Sequence, residues 1–320
     1  GTSRCRVSSF QVVEQCLINQ HMNRKVVWHF VTEQMHGRRK RNTLNRLFKR
    51  LKIQRINDHV RLLNDHDDGT GYLVTGTDKA LVIDTMYGQE DLKEAVKTLT
   101  DLPLMLVNTH GHFDHTYGNL YFDKAYIHPA DIGIAEAYFK ADGFVQMMKE
   151  TGRRPAEFEP ILEGTVIDLG GIELEIYETP GHTPGSIVLL DRKDRILFSG
   201  DTVIEQTWMQ LPECCEMNVM LQSLDKLQKL RPYFDYILCG HSHGLEDASL
   251  CEAQRQAVWE ICNGQVQNDD PYVYYGGTCK AHPYGRDPRR IVYDPDKKGM
   301  DTEHLIMPDE LLKVIRSSVE

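Results

Sequence analysis

An α/β protein with its helices outside the sheets is what this sequence predicts. Three observations carry the reading. From residue 56 onward short apolar segments alternate with helix-patterned ones, Gly, Asp and Asn turns separate them, and four apolar segments run into a histidine or an aspartate. A rigid sheet presents chemistry at its strand ends in this way, and alternating periods of two and 3.6 build layered α/β architectures.

In chain order, Val60–Leu63 and Tyr72–Thr75 flank the polar turn Asn64–Gly71 and form a hairpin-like pair, and Ala80–Ile83 runs into Asp84. Gln89–Leu99 reads as a helix, with Leu92, Val96 and Leu99 on one face and Glu90 and Asp91 in the first turn, where the helix dipole favours acids. One device then repeats. Leu102–Thr109 leads to His110, Ile172–Glu178 to the turn Thr179–Thr183 that holds His182, Arg195–Ser199 to Asp201, and Tyr236–Cys239 to His241. Helices are expected over Pro129–Lys140, Asn218–Leu230 and Asp247–Cys262, and β segments at Tyr272–Tyr275 and Arg290–Tyr293.

Composition sets bounds on this picture. With 320 residues and 41% apolar content the chain can bury one large core or two modest ones. A net charge of −10 argues against a surface designed throughout to hold nucleic acid. No apolar stretch approaches the roughly 20 residues that cross a bilayer, and no leader pattern precedes a cleavage site, so a soluble cytoplasmic protein is expected. Eight cysteines without a CxxC pair are read as free thiols of a reducing compartment.

Residues 1–52 differ from the rest. Arg38, Arg39, Lys40 and Arg41 stand in a row, with Glu14 and Glu33 as the only acids of the segment. Leu44, Leu47, Phe48 and Leu51 recur at helical spacing, which predicts a short basic amphipathic helix over residues 43–52. A solvated extension is preferred over an arm for an acidic partner or a transit peptide. The folded domain is then 53–320, and removing residues 1–52 is expected to leave its chemistry intact.

The most informative segment is Thr109-His110-Gly111-His112-Phe113-Asp114-His115, which gathers three imidazoles and a carboxylate. Histidines at i and i+2 leaving a strand end can point one way, while the Asp-His pair that follows can face a second position nearby. These donors suit zinc at about 2.0–2.2 Å, and a catalytic zinc keeps one position open for water. A lone histidine is more often structural, but three more candidates arrive in the same context: His182 in Pro180-Gly181-His182-Thr183, Asp201 in Ser199-Gly200-Asp201-Thr202, and His241 in Cys239-Gly240-His241.

In type and order these residues resemble the metallo-β-lactamase superfamily, whose HxHxDH motif, later His, Gly-Asp and final Gly-His they match over about residues 56–245. The resemblance implies a metallo-β-lactamase αββα sandwich, two mixed sheets face to face with helices outside. It also implies two metals, chiefly zinc with iron or manganese as alternatives. His110, His112 and His182 would hold the first, Asp114, His115 and His241 the second, and Asp201 would bridge them. Asp84 matches the family's first motif and would support the metal loop from behind. His128 and His243 are read as neighbours, and Ser199 as strand packing. Two cations sharing a water can lower its pKa to about 7, and the resulting hydroxide would be the nucleophile, with Asp114 orienting it or passing a proton.

The same resemblance narrows the substrate. Class B1 β-lactamases carry a cysteine where Asp201 stands, and the short interval from Asp201 to His241 leaves no room for the inserted nuclease domain of the β-CASP enzymes. A small ester, thioester, lactone or related substrate is expected, not nucleic acid or a membrane. A nuclease or phosphodiesterase and a persulfide dioxygenase with one iron are the rival enzymes, and a homo-oligomer stays open. Of the C-terminal aromatics, Trp259 is read as core, and one of Tyr272, Tyr274 or Tyr275 as approaching the pocket.

Overall fold

The computed structural model describes residues 48–296 apart from 66, 67, 275 and 287. Most of the basic segment, including residues 43–47 of the expected helix, lies outside them. Residues 48–51 are not helical, and Lys52 opens the first strand. Leu51 is buried, and the backbone amides of Arg50 and Leu51 both donate to the Glu90 carboxylate, at 3.1 and 3.0 Å.

Among the described residues seventeen strands follow: β1 (Lys52–Arg55), β2 (Val60–Asn64), β3 (Thr70–Thr75), β4 (Ala80–Ile83), β5 (Leu104–Val107), β6 (Lys124–Ile127), β7 (Glu157–Pro160), β8 (Val166–Asp168), β9 (Glu173–Glu178), β10 (Ile187–Asp191), β11 (Ile196–Gly200), β12 (Gln206–Trp208), β13 (Tyr236–Cys239), β14 (Glu246–Asp247), β15 (Asp270–Tyr274), β16 (Gly277–Pro283) and β17 (Arg290–Tyr293). The helices are α1 (Leu92–Lys97), α2 (Phe113–Thr116), α3 (Pro129–Tyr138), α4 (Asp142–Thr151), α5 (Met217–Leu230) and α6 (Ser249–Cys262).

Strands β1 to β7 form one sheet in chain order, antiparallel as far as β4 and parallel beyond it. A second sheet has the order β14-β13-β11-β10-β9-β8, with β11 and β13 parallel. The two face each other across a core in which Leu62, Tyr72, Val74 and Ile83 meet Leu174, Ile176, Leu189 and Phe198. Large side chains buried to this degree each contribute about 1.5–3 kcal/mol of transfer free energy. The outer face of the second sheet, through Val188, Leu190 and Leu197, packs on Met220, Leu224 and Leu227 of α5 and Leu250 and Val258 of α6. Helices α3 and α4 close over Leu120 and Ile127 with Phe139 and Phe144. This is the expected sandwich with helices outside.

A third sheet, β12-β17-β16-β15, is an addition. Its parallel β12–β17 pairing, Gln206 opposite Arg290 and Trp208 opposite Val292, ties the C-terminal strands to the segment just after Asp201. Local chemistry explains the shifted boundaries. Asp91 accepts the Glu94 amide at 3.0 Å and so caps α1, which starts at Leu92 instead of Gln89. Glu246 and Asp247 pair with β13, so α6 begins only at Ser249. Of the six described cysteines, Cys214, Cys215, Cys239, Cys251 and Cys279 are buried and Cys262 is exposed.

Glu178, at the end of β9, predicts an acid-sensitive contact. Its carboxylate stands 3.3 Å from His128 Nε2 and also accepts the Glu163 amide at 3.1 Å. The His128 bond, working against burial, pulls its pKa down to about 2. A depressed folded-state pKa gives stability that is fully present above the ordinary value of 4.5 and is lost as pH falls toward 2. Glu178→Gln is therefore expected to flatten the acid limb of stability against pH. Urea melts at pH 7 and 3 check this, and equal acid losses in both proteins would remove the contact's role.

Candidate metal centre

The expected site residues arrive on separate elements and converge. His110 follows β5, His112 caps α2, and Asp114 and His115 lie in its single turn. His182 comes from the turn between β9 and β10, Asp201 from the end of β11 and His241 from the end of β13. Two glycines permit the approach. Gly200 takes a φ of +48° beside the Thr109 side chain, and a Cβ at Gly240 would collide with Asp201 Oδ1.

Two groups result. His112 Nδ1 lies 3.1 Å from His110 Nε2 and 2.9 Å from His182 Nε2. His241 Nε2 lies 3.3 Å from Asp114 Oδ2, and His115 Nε2 lies 3.6 Å from the same carboxylate. Asp201 reaches both groups, with Oδ2 at 3.6 Å from His182 Nε2 and 3.3 Å from His241 Nε2, and Oδ1 at 3.5 Å from His115 Nε2.

The outer partners decide which nitrogen of each ring carries hydrogen. His182 Nδ1 faces the Trp208 carbonyl at 2.7 Å, which can only accept, so that nitrogen donates. His115 Nδ1 faces Asp84 Oδ2 at 2.9 Å and His241 Nδ1 faces Asp68 Oδ1 at 2.8 Å, and the same rule holds. Thr109 spends its hydroxyl proton on Asp84 Oδ2 at 2.7 Å, so at 3.0 Å it accepts from His110 Nδ1. His112 is turned the other way round. Its Nε2 lies 2.9 Å from Glu213 Oε1, a close contact too bent to be a good hydrogen bond.

Neutral rings with these tautomers aim five bare nitrogens and two carboxylates at one small volume. His115 Nε2 and Asp201 Oδ1 are buried there without a hydrogen-bond partner. Lone pairs packed at these distances repel one another, so the volume calls for positive charge, supplied by bound cations or, without them, by protons on His115 and His241. Cations bound between them satisfy the whole set. The donors fit metal ions by this test, and carbonyl or carboxylate partners behind the imidazoles are what metal-binding histidines commonly have.

The electrostatics of the two groups differ. Burial, with the neighbouring imidazoles, pushes His110 well below the usual histidine range and His182 down to about 4. Burial also opposes charge on His115 and His241, but the carboxylates of Asp114 and Asp201, with Asp84 behind one ring and Asp68 behind the other, hold His115 at about 9 and His241 well above its usual value. Asp114 and Asp201 stay below the ordinary range, their burial outweighed by His115 and His241. For Glu213, burial is likewise outweighed by His112 and Tyr138, and its pKa falls to about 2.

A cavity of about 390 Å³ opens over both groups. Phe113, Tyr138, Ile204, Trp208 and Leu211 supply its apolar lining, and Asp68, Glu205, His243 and Glu246 its polar part. The Tyr138 ring stands edge-on to His112, with centroids 5.8 Å apart. Neither Tyr272 nor Tyr274 lines the cavity. Each sits one layer behind, Tyr272 accepting from Gln206 Nε2 at 3.2 Å and Tyr274 edge-on to Trp208. Tyr275 lies outside the described residues.

His128 caps α3 by accepting the Ala130 amide, His243 borders the cavity, and Ser199 donates to the Val203 carbonyl inside the fold. Sequence reasoning missed Asp68, Glu213 and the Trp208 carbonyl. Asp68 sits in a stretch that reads as a polar turn, and Glu213 precedes a cysteine pair without periodicity.

Comparison with known proteins places this geometry. Residues 65–241 match the family model described as the metallo-beta-lactamase superfamily. The chain is 31% identical over 202 residues to acyl-coenzyme A thioesterase MBLAC2 of Homo sapiens, covering 53% of this chain and 71% of that protein. It is 32% identical over 155 residues to hydroxyacylglutathione hydrolase of Chelativorans sp. (strain BNC1), covering 48% and 54%. The solved DIM-1 metallo-beta-lactamase shares its fold, with a TM-score of 0.50 and 20% identity over 66% of this chain and 97% of that one. Among the described residues no helix is long and apolar enough to cross a membrane. The chain belongs to the metallo-β-lactamase superfamily, as one of its metal-dependent hydrolases.

Proposed function

We propose that this protein is a zinc-dependent thioester hydrolase with two metals per chain, acting on a small molecule whose acyl group is apolar. The observation that carries the metal reading is the convergence of five imidazole nitrogens, four of them on rings hydrogen-bonded from behind, on two carboxylates. The donor set of imidazole and carboxylate favours zinc. His110, His112 and His182 would hold one ion, Asp114, His115 and His241 the other, with Asp201 shared. The relatives' activities on acyl-coenzyme A and hydroxyacylglutathione support a thioester over an ester or lactone.

Bound there, the ions supply a Lewis acid for the carbonyl and an activated water at neutral pH. The chain's own residues do the rest. Asp114 borders the cavity, where its carboxylate can take the proton of an attacking water and return it to the leaving thiolate. Phe113, Tyr138, Trp208 and Leu211 seat the acyl group and exclude water from it. The catalytic domain, on this reading, starts at β1, and the basic segment before it carries none of the proposed ligands.

Elemental analysis of protein purified without chelator, joined to a panel of acyl-coenzyme A, hydroxyacylglutathione, ester, lactone and RNA substrates, tests the proposal. Two zinc ions and preferred thioester turnover are expected. A single iron with oxygen consumption on a persulfide, or preference for RNA, overturns it. Trp208→Ala is expected to lower kcat/KM for long apolar acyl thioesters about 10–100-fold, since a large apolar side chain contributes roughly 1.5–3 kcal/mol, and to leave an acetyl thioester less affected. Equal losses on both substrates would mean that Trp208 does not contact the acyl group.

A further inference from the structure

Asp131 is a fully buried carboxylate in the first turn of α3 that the chemistry above does not use. Its three hydrogen-bond donors come from the two loops that carry the first group of histidines. Oδ2 accepts the amide of Gly111 at 2.7 Å, the residue between His110 and His112. The same oxygen accepts the Thr183 hydroxyl at 2.7 Å, next to His182, and Oδ1 accepts the Gly185 amide at 2.6 Å. Thr183 Oγ1 in turn lies 2.7 Å from the hydroxyl of Ser186, which completes the loop.

The glycines show how tightly this is built. A Cβ at Gly185 would stand 2.6 Å from Asp131 Oδ1, and one at Gly111 would stand 2.7 Å from the Asp131 carbonyl oxygen. Both ligand loops therefore forgo a side chain where Asp131 and its backbone approach them. One oxygen atom joins the two loops, and across that joint His112 Nδ1 and His182 Nε2 stand 2.9 Å apart. The donors around Asp201, His115 and His241 receive no bond from it.

We propose that Asp131 is a positioning residue for the first metal, setting the spacing between the His110/His112 loop and the His182 loop without touching metal or substrate. This rests on the two-metal reading above. Asp131→Asn keeps the shape but turns an amide N–H₂ toward at least one of three fixed donors, so one bond is lost and the loops part. The affinity of the first site for zinc is then expected to fall on the order of 10–100-fold, the usual consequence of losing a partner behind a ligand, while the second site keeps its affinity.

Zinc titration against a chromophoric chelator, together with cobalt(II) absorption spectra, reads this out on the full chain without any assay of turnover. Spectra of His182→Ala and His241→Ala mark which bands belong to which position. Selective weakening of the first site in Asp131→Asn supports the proposal. Unchanged affinity at both sites, or equal weakening at both with a matching drop in melting temperature, overturns it. If Asp131→Asn does not fold, Thr183→Val removes a single bond and decides the matter by the same criterion, with a smaller shift. A wild type that takes up one ion only defeats the two-metal reading separately, and the effect of Asp131→Asn on that ion still decides this inference.

Discussion

Asp201→Ala is expected to strip the protein of both metals and of turnover together, whereas Asp114→Asn is expected to keep the metals and lose the rate. The difference follows from where the two carboxylates reach. Asp201 lies within 3.6 Å of ring nitrogens from both groups, through both of its oxygens. Alanine there removes the shared donor and leaves His115 and His241 facing each other across a gap. Loss of a donor in direct contact should exceed the roughly 10–100-fold in affinity that loss of an outer partner costs. Asp114 contacts only the second group, and asparagine retains an oxygen that can face His241. What asparagine cannot do is take up a proton, and losing a catalytic acid/base costs on the order of 10²–10⁴ in rate. Metal analysis and pH–rate profiles at matched occupancy separate the two. Asp114→Asn with full metal content and wild-type kcat would leave Asp114 without a catalytic part, and Asp201→Ala that retains two ions would end its shared role.

Removing the metals should also loosen the fold. The site draws its donors from β5, β9, β11, β13 and α2, so cations in it cross-link both sheets of the sandwich. An ion at about 1,000 times its Kd stabilises the folded state by about 4 kcal/mol. For a domain of this size that is on the order of 10 °C in melting temperature. Dialysis against a chelator is expected to lower the melting temperature by that order and to abolish thioester turnover. Zinc should restore both, and magnesium, which prefers oxygen ligands, neither. A chelated protein that melts and turns over like the untreated one would mean that no metal was there to lose.

The seven proposed ligands were legible because each follows a strand that announces itself by apolar pattern, and because HxHxDH concentrates four of them in one turn. The hairpin β2–β3, strand β13 and helices α3 and α5 were legible for the same local reason. Strand β10 escaped it. Ile187, Val188, Leu189 and Leu190 are buried on both faces, so the alternation that marks a half-exposed strand is missing. Helix α4 was not assigned from the sequence either, although Phe144 is buried and Met147 and Met148 pack beside it.

By itself, then, the sequence determined the α/β class, the order of the ligand-bearing strands and the kinds of donor at their ends, since all of these are written in residues a few positions apart. Only the tertiary structure decided which nitrogen each imidazole presents, because Asp68, Asp84, Glu213 and the Trp208 carbonyl come from elsewhere in the chain, 173 positions away in the case of Asp68 and His241. It also decided that Asp131 joins the loop of Gly111, 20 residues before it, to the loop of Thr183 and Gly185, 52 and 54 residues after it, and that C-terminal strands pair beside the cavity. A hydrogen bond depends on a distance of about 3 Å and a direction. Residues far apart in sequence acquire both only when the sheets pack.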